Sequence, residues 1–191
     1  MKKTQINFKD ICTMSYGAVS SSVNFNNIER YIRITDINSY GRLKEKTKVS
    51  PRTTDEKYLV SSNDLLIIRL GNRTGESYIN RDNKYIYIFA SYIIRCKISK
   101  KSFPLFIYYS TMTTRFKDFI QNILKVSNKK SINIKELGMY NLYLPSYYNQ
   151  VLIAKKLTIL ENSLYTQSKL LWVFFILCEK IYKVKSIAKI H

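Results

Sequence analysis

The sequence predicts an α+β fold: a compact mixed α/β module with a small β-sheet over residues 1–145, then a long C-terminal coiled-coil helix over 146–191. Three observations carry this. Short runs rich in Ile, Tyr and Leu, separated by Gly, Asn, Ser and Asp turns, fill residues 29–98 at strand length. An amphipathic segment opened by Pro104 follows them. From Ile153 the residues Leu157, Leu160, Leu164, Gln167, Leu171, Phe174, Cys178 and Ile181 recur at steps of four and three. That is the 3.5-residue period of a helix whose apolar seam faces another helix.

The elements follow in chain order. Glu29–Ile37 alternates Tyr31, Arg33 and Thr35 with Ile32 and Ile34, a half-buried strand, and Asn38–Gly41 turns the chain. Residues 42–52 form a polar cationic stretch broken by Pro51. Tyr58–Val60 and Leu65–Leu70 are strands separated by the turn tetrad Ser61–Asp64. Gly71–Gly75 is the next turn, followed by a short strand at Ser77–Ile79. Lys84–Ala90 and Ser91–Ile98 are core strands. Pro104, Phe106, Tyr109, Thr113, Phe116 and Ile120 place one helix from Pro104 to about Leu124, and KVSNKK after it is a basic loop. Ser131–Leu137 includes a helical turn, Tyr140–Leu144 is a last strand closed by Pro145, and Ser146 caps the long helix. From Tyr147 to Ile181 that helix would be roughly 50 Å long, more than a module of this size covers.

Composition narrows the partners. Thirty-two Lys and Arg against 13 acids give a formal charge of +19. A polyanion is the expected partner, and sixteen Tyr among the cations add stacking and hydrogen-bonding surface suited to nucleic acid. A basic protein that is merely soluble is the plainer alternative, and AT-rich coding also enriches Ile, Lys, Asn and Tyr. Cys12, Cys96 and Cys178 are scattered, without a CxxC pair, which points to a reducing compartment and to small buried residues, not to a disulfide framework or zinc. The start MKKTQINFKD has no apolar stretch behind its lysines, and the longest apolar run, Leu170–Cys178, falls short of the ~20 residues of a membrane span. The expected location is the cytoplasm; a basic helix lying on a membrane is the alternative for the tail.

Catalytic motifs are absent from the sequence. The one histidine is the terminal His191, and there is neither a GxxxxGK[ST] loop, a GxGxxG turn nor an Asn/Asp-Pro-Pro-aromatic tetrad. No cofactor or metal is expected. One constellation suggests an enzyme: Asp64, then Asp82 and Lys84, follow the Asp…Asp-x-Lys layout of metal-dependent nucleases, where two carboxylates hold a divalent ion. A free-standing nuclease is therefore the alternative reading, with turn residues as the plainer role of the same side chains.

A longer constellation spans the chain. It comprises Tyr31–Ile37 with Gly41, then Leu59, Asp64–Gly71 and Gly75, then Tyr92–Arg95 and the Pro104 helix. Ile132–Leu137, Leu144-Pro145, Gln150 and Ile153-Ala154 complete it. In this order, over about residues 8–165, the chain resembles the target-recognition domain and adjoining helix of the DNA-specificity subunit of type I restriction–modification enzymes. It departs from that pattern at Asn63, where the family usually has Gly, and at Pro145–Gln150, which lacks a second Pro and the Glu. Full members carry two such halves in tandem, and this chain carries one.

The resemblance implies a non-catalytic subunit that reads one half of a bipartite double-stranded DNA site. Its partners would be a methyltransferase (modification) subunit carrying the S-adenosylmethionine chemistry and, where one exists, a restriction subunit. Arg69, Asn72 and Arg73, flanking a Gly-bounded turn, are candidates for base or near-base contact. Lys44, Lys46, Lys48, Arg52, Lys125, Lys129 and Lys130 are candidates for phosphate contact, with a solvated surface charge as the plain alternative for each. The seam from Ile153 to Ile181 is the expected homodimer interface, with Gln167 setting register, or else the surface that pairs with a different half-subunit.

Overall fold

The computed structural model describes residues 4–127 and 130–166. Its strands form four small sheets, where the sequence suggested one. The largest has the order β2 (Cys12–Tyr16), β10 (Ile93–Ile98), β7 (Leu65–Ile68), β8 (Ser77–Ile79), antiparallel throughout. The second has the order β4 (Glu29–Ile32), β9 (Ile86–Phe89), β6 (Leu59–Val60), with β4 and β9 parallel. Two ribbons complete the set: β3 (Ser22–Asn24) with β5 (Val49–Pro51), and β1 (Thr4–Asn7) with β11 (Asn141–Leu144).

The layering follows from side-chain alternation. On β7, Leu65 and Ile67 face one apolar cluster with Phe106, Ile107, Phe116 and Ile120, while Leu66 and Ile68 face another with Ile32, Tyr87 and Phe89. The four-stranded sheet thus lies between a helical layer and the second sheet. Strands buried on both faces are continuous apolar runs, which is why LLII and IYIF were legible. The second sheet is covered on its outer side as well, by Ala18 and Val49 over Tyr31 and Ile88. For that reason β4 is buried on both faces and does not alternate, and it stops at Ile32, where a 3-10 turn over Ile34–Asp36 begins. Gly17 marks the crossing between the sheets: a Cβ there would lie 2.3 Å from the carbonyl oxygen of Ala90. Asn63 sits at φ +69, the left-handed region that Gly takes freely and Asn tolerates, so it fits a position where the resembled family has Gly.

The single helix expected from Pro104 is two: α1 (Pro104–Ser110) and α2 (Thr114–Ser127). The hydroxyls of Ser110, Thr111 and Thr113 donate to the carbonyls of Ile107, Tyr108 and Ser110, offering the backbone an exit from the helix. Asn133 caps α3 (Ile134–Gly138) through a reciprocal box with Glu136. Helix α4 is described over Tyr147–Thr166. The expectation of an unpaired seam does not hold for its described part. Ile153, Leu157 and Leu164 are buried in the chain's own core with Phe106 and Phe116, and Leu160 packs against that core. Gln150 ties the helix down by accepting from the Phe103 N–H and donating to the Pro145 carbonyl. The seam positions Gln167, Leu171, Phe174, Cys178 and Ile181 lie outside the described residues.

Candidate nucleic-acid interface

Strand pairing gathers five loops at one end of the two sheets. Tyr16 ends β2 opposite Ile94, Ile68 ends β7 opposite Ile93, and Ile32 and Phe89 end the parallel pair together. The segments leaving this end are residues 17–20, 33–42, 69–76 and 90–92, joined by 130–132. The Gly71–Gly75 turn is their hub. Gly71 and Gly75 take φ of +86 and +95. The Thr74 hydroxyl closes the turn on the Gly71 carbonyl at 2.6 Å, and the Gly71 N–H donates to the Lys130 carbonyl at 2.9 Å.

Arg69 and Asn72 project from this hub. The Arg69 guanidinium lies 4.9 Å over the Tyr16 ring and donates through Nε to the Ile132 carbonyl, and its terminal nitrogens carry no hydrogen bond among the described residues. Tyr16 and Tyr92 beside it are exposed aromatics, and Asn72 is exposed at the turn's tip. Arg73 is placed differently. It donates to the carbonyls of Ile34 and Ile37 at 2.9 and 2.7 Å, to that of Asn38 and to the Glu76 carboxylate, fastening the turn to the 34–38 loop.

The other candidate cations are spread around this end. Lys130 is exposed beside the Gly71 turn, and Lys125 is exposed on the last turn of α2; Lys129 lies outside the described residues. Lys44 and Lys46 are exposed on the loop along β4. Arg52 is exposed and bonds the Ser21 hydroxyl. Lys48 is brought elsewhere, to the start of β9, where it donates to the Tyr85 hydroxyl, pairs with Glu45 and lies 5.2 Å from the Phe25 ring. Those partners hold its ammonium above the usual lysine value, Tyr85 first and Glu45 next. Sequence reasoning did not single out Tyr16 and Tyr92. Aromatic residues at strand ends were the available signal, diluted by the sixteen tyrosines of the chain.

The residues of the nuclease alternative have structural partners. Asp64 is buried, accepts from the Ser61 N–H, and is raised above the usual carboxylate value by that burial. Asp82 accepts from the Lys84 N–H and, at 2.6 Å, from the Tyr87 hydroxyl, while Lys84 is exposed over the Tyr85 ring. Among the described residues no group of three His, Cys, Asp or Glu could hold a metal ion, and no helix is long and apolar enough to cross a membrane.

The family model of the type I restriction modification DNA specificity domain matches residues 2–171. Comparison with curated proteins gives no match. Among solved structures, the S subunit of a type I restriction–modification system from M. genitalium shares 12% identity at a TM-score of 0.64. That match covers 95% of this chain and 45% of the other. The HsdS subunit from Thermoanaerobacter tengcongensis shares 12% at a TM-score of 0.60, over 94% of this chain and 44% of its own. A chain from a structure on complex assembly and conformational transition of the type I R-M system shares 11% at 0.64, over 94% and 45%. At these identities the likeness is one of fold. The chain spans slightly less than half the length of each.

Proposed function

The chain belongs to the family of type I restriction modification DNA specificity domains, and we propose that it is the sequence-reading subunit of a DNA methyltransferase or restriction complex. The family match over residues 2–171 carries this reading, supported by the gathering of Arg69, Asn72 and Lys130 at one end of the sheets. On this proposal Asn72 and Arg69 contact base edges, because amide and guanidinium groups offer the paired donors and acceptors that distinguish bases. Arg73 holds the turn that presents them. Lys44, Lys46, Arg52, Lys125, Lys129 and Lys130 contact phosphates, with Lys48 at the margin. Residues 1–145 carry recognition and 146–191 carry docking. The exposed Tyr148, Leu152 and Ile159 of α4, together with the positions from Gln167 to Ile181, would join a second half. On this proposal the chain supplies one recognition half and works as a homodimer or beside a different half.

The proposed complex works in the cytoplasm and includes a methyltransferase subunit and, in restricting systems, a restriction subunit. The proposed chain itself is non-catalytic and needs no cofactor. Reconstitution tests this: the purified chain alone should transfer no methyl group and cut no DNA, and methylation should appear when the modification subunit of the same system is added. Cleavage by the isolated chain that is lost in Asp82→Ala would replace this reading with the nuclease.

A further inference from the structure

Behind the Gly71–Gly75 turn lies a cleft of about 440 Å³ between the 39–42 loop, the start of α2 and the end of α4. Its size falls in the range of small-molecule sites, and its chemistry is specific. Phe116 and Ile120 supply an apolar wall. Glu161 lines it while only 6% exposed. Its Oε2 accepts from Arg81 at 2.5 Å and from the Tyr109 hydroxyl at 3.0 Å, whereas Oε1 is buried with no hydrogen-bond partner. A buried carboxylate oxygen without a donor is costly, and a ligand N–H would satisfy it. At the mouth the Arg42 guanidinium lies 3.9 Å over the Tyr165 ring, anchored on the Asn162 Oδ1 at 2.8 Å. The Tyr40 ring meets Tyr165 edge-on at 5.7 Å. Such a stack accepts a planar π-system. Arg81 offsets the Glu161 charge, Arg73 offsets that of Glu76, and Arg42 and Lys117 also line the cleft, so a cationic ligand is disfavoured and an anionic tail is welcome.

We propose that this cleft binds a nucleobase bearing an exocyclic amino group and an attached phosphate: the amino N–H donates to Glu161 Oε1, the ring lies against the Arg42–Tyr165 stack, and the phosphate faces Arg42. Two sources supply this chemistry, a mononucleotide in solution or a base extruded from a duplex; only the second rests on the DNA-binding reading.

The test uses the full chain with adenosine monophosphate in equilibrium dialysis, and a duplex carrying one bulged 2-aminopurine read by fluorescence. Saturable binding of the mononucleotide is expected. Purine riboside monophosphate, which lacks the amino group, should bind about tenfold or more weakly, because a charged acceptor is left without its donor. Glu161→Gln should erase that preference. Since it also breaks the Arg81 pair, Gln121→Trp, at an exposed position of α2 on the cleft wall, is the second variant. It should leave the unfolding midpoint unchanged and reduce nucleotide affinity tenfold or more by filling the space. A fluorescence change of the bulged base that the mononucleotide competes away assigns the extruded source. Mononucleotide binding with a silent bulge assigns the free one. Absence of both at millimolar nucleotide overturns the proposal, as does undiminished affinity in Gln121→Trp or equal binding of purine riboside monophosphate.

Discussion

Three neighbouring side chains at one turn, Arg69, Asn72 and Arg73, are separated by their bonding. Asn72 is exposed, Arg69 keeps its terminal nitrogens unbonded among the described residues, and Arg73 donates to three backbone carbonyls and a carboxylate. Asn72→Ala should therefore relax preference at one base pair by about 1–3 kcal/mol without changing stability. Arg73→Ala should lower unfolding stability by about 1–3 kcal/mol, because carbonyls lose their donors, and weaken all sequences alike. Denaturation curves and competition between duplexes check both; the reverse pattern would exchange their roles. The sequence placed all three on the turn but could not rank them, since ranking depends on where the 34–38 carbonyls come to lie. Glu161 was invisible for a similar reason: one acid beside an apolar seam gives no sign of which groups will surround it. Asp64 adds a pH test. Burial raises its folded carboxyl above the unfolded value, so its contribution is present below the unfolded value and is lost as pH rises through the folded one. Relative to Asp64→Asn, the wild type should lose stability as pH rises above the ordinary carboxylate range. A constant difference between their unfolding midpoints would contradict the assignment.

At the scale of elements, the strands most legible in the sequence were those buried on both faces, because LLII and IYIF are uninterrupted apolar runs. Strands β2, β3 and β5 were illegible. CTMSY and SVN are partly exposed, VSP is largely buried but only three residues long, and all are held by ladder pairing more than by their own pattern. Pro51 hid β5, yet an edge position tolerates it. Helix periodicity identified the buried stripe of α4 correctly but not its partner, since a seam looks the same whether it faces another chain or its own domain. Leu157→Ala should cost about 2–4 kcal/mol from the cavity it leaves, a loss of the same size at every protein concentration. Ile159→Glu, on the exposed face proposed to join a second half, should leave the fold of the single chain within about 0.5 kcal/mol of wild type while shifting sedimentation toward the monomer. A concentration-dependent Leu157→Ala effect would return the described seam to an intermolecular role.

For the whole molecule, a charge of +19 and a cationic loop surface would make the proposed duplex binding steeply salt-dependent. With about six phosphates neutralised, log K should fall against log salt with a slope near −5; a flat response between low and moderate salt would remove the electrostatic footing of the account. Two identical halves related by a two-fold axis would read a bipartite palindrome, whereas pairing with a different half would read two unrelated elements. If the loop end of the sheets reads base sequence as proposed, selection from a randomised duplex pool will reveal it. The chain, alone and with its modification subunit, is given the pool at moderate salt, and the retained duplexes are sequenced. The account predicts an enriched motif whose information falls at one base pair when Asn72 is replaced by Ala. Retained duplexes indistinguishable from the input pool, at a salt concentration where the chain still binds DNA, would contradict it.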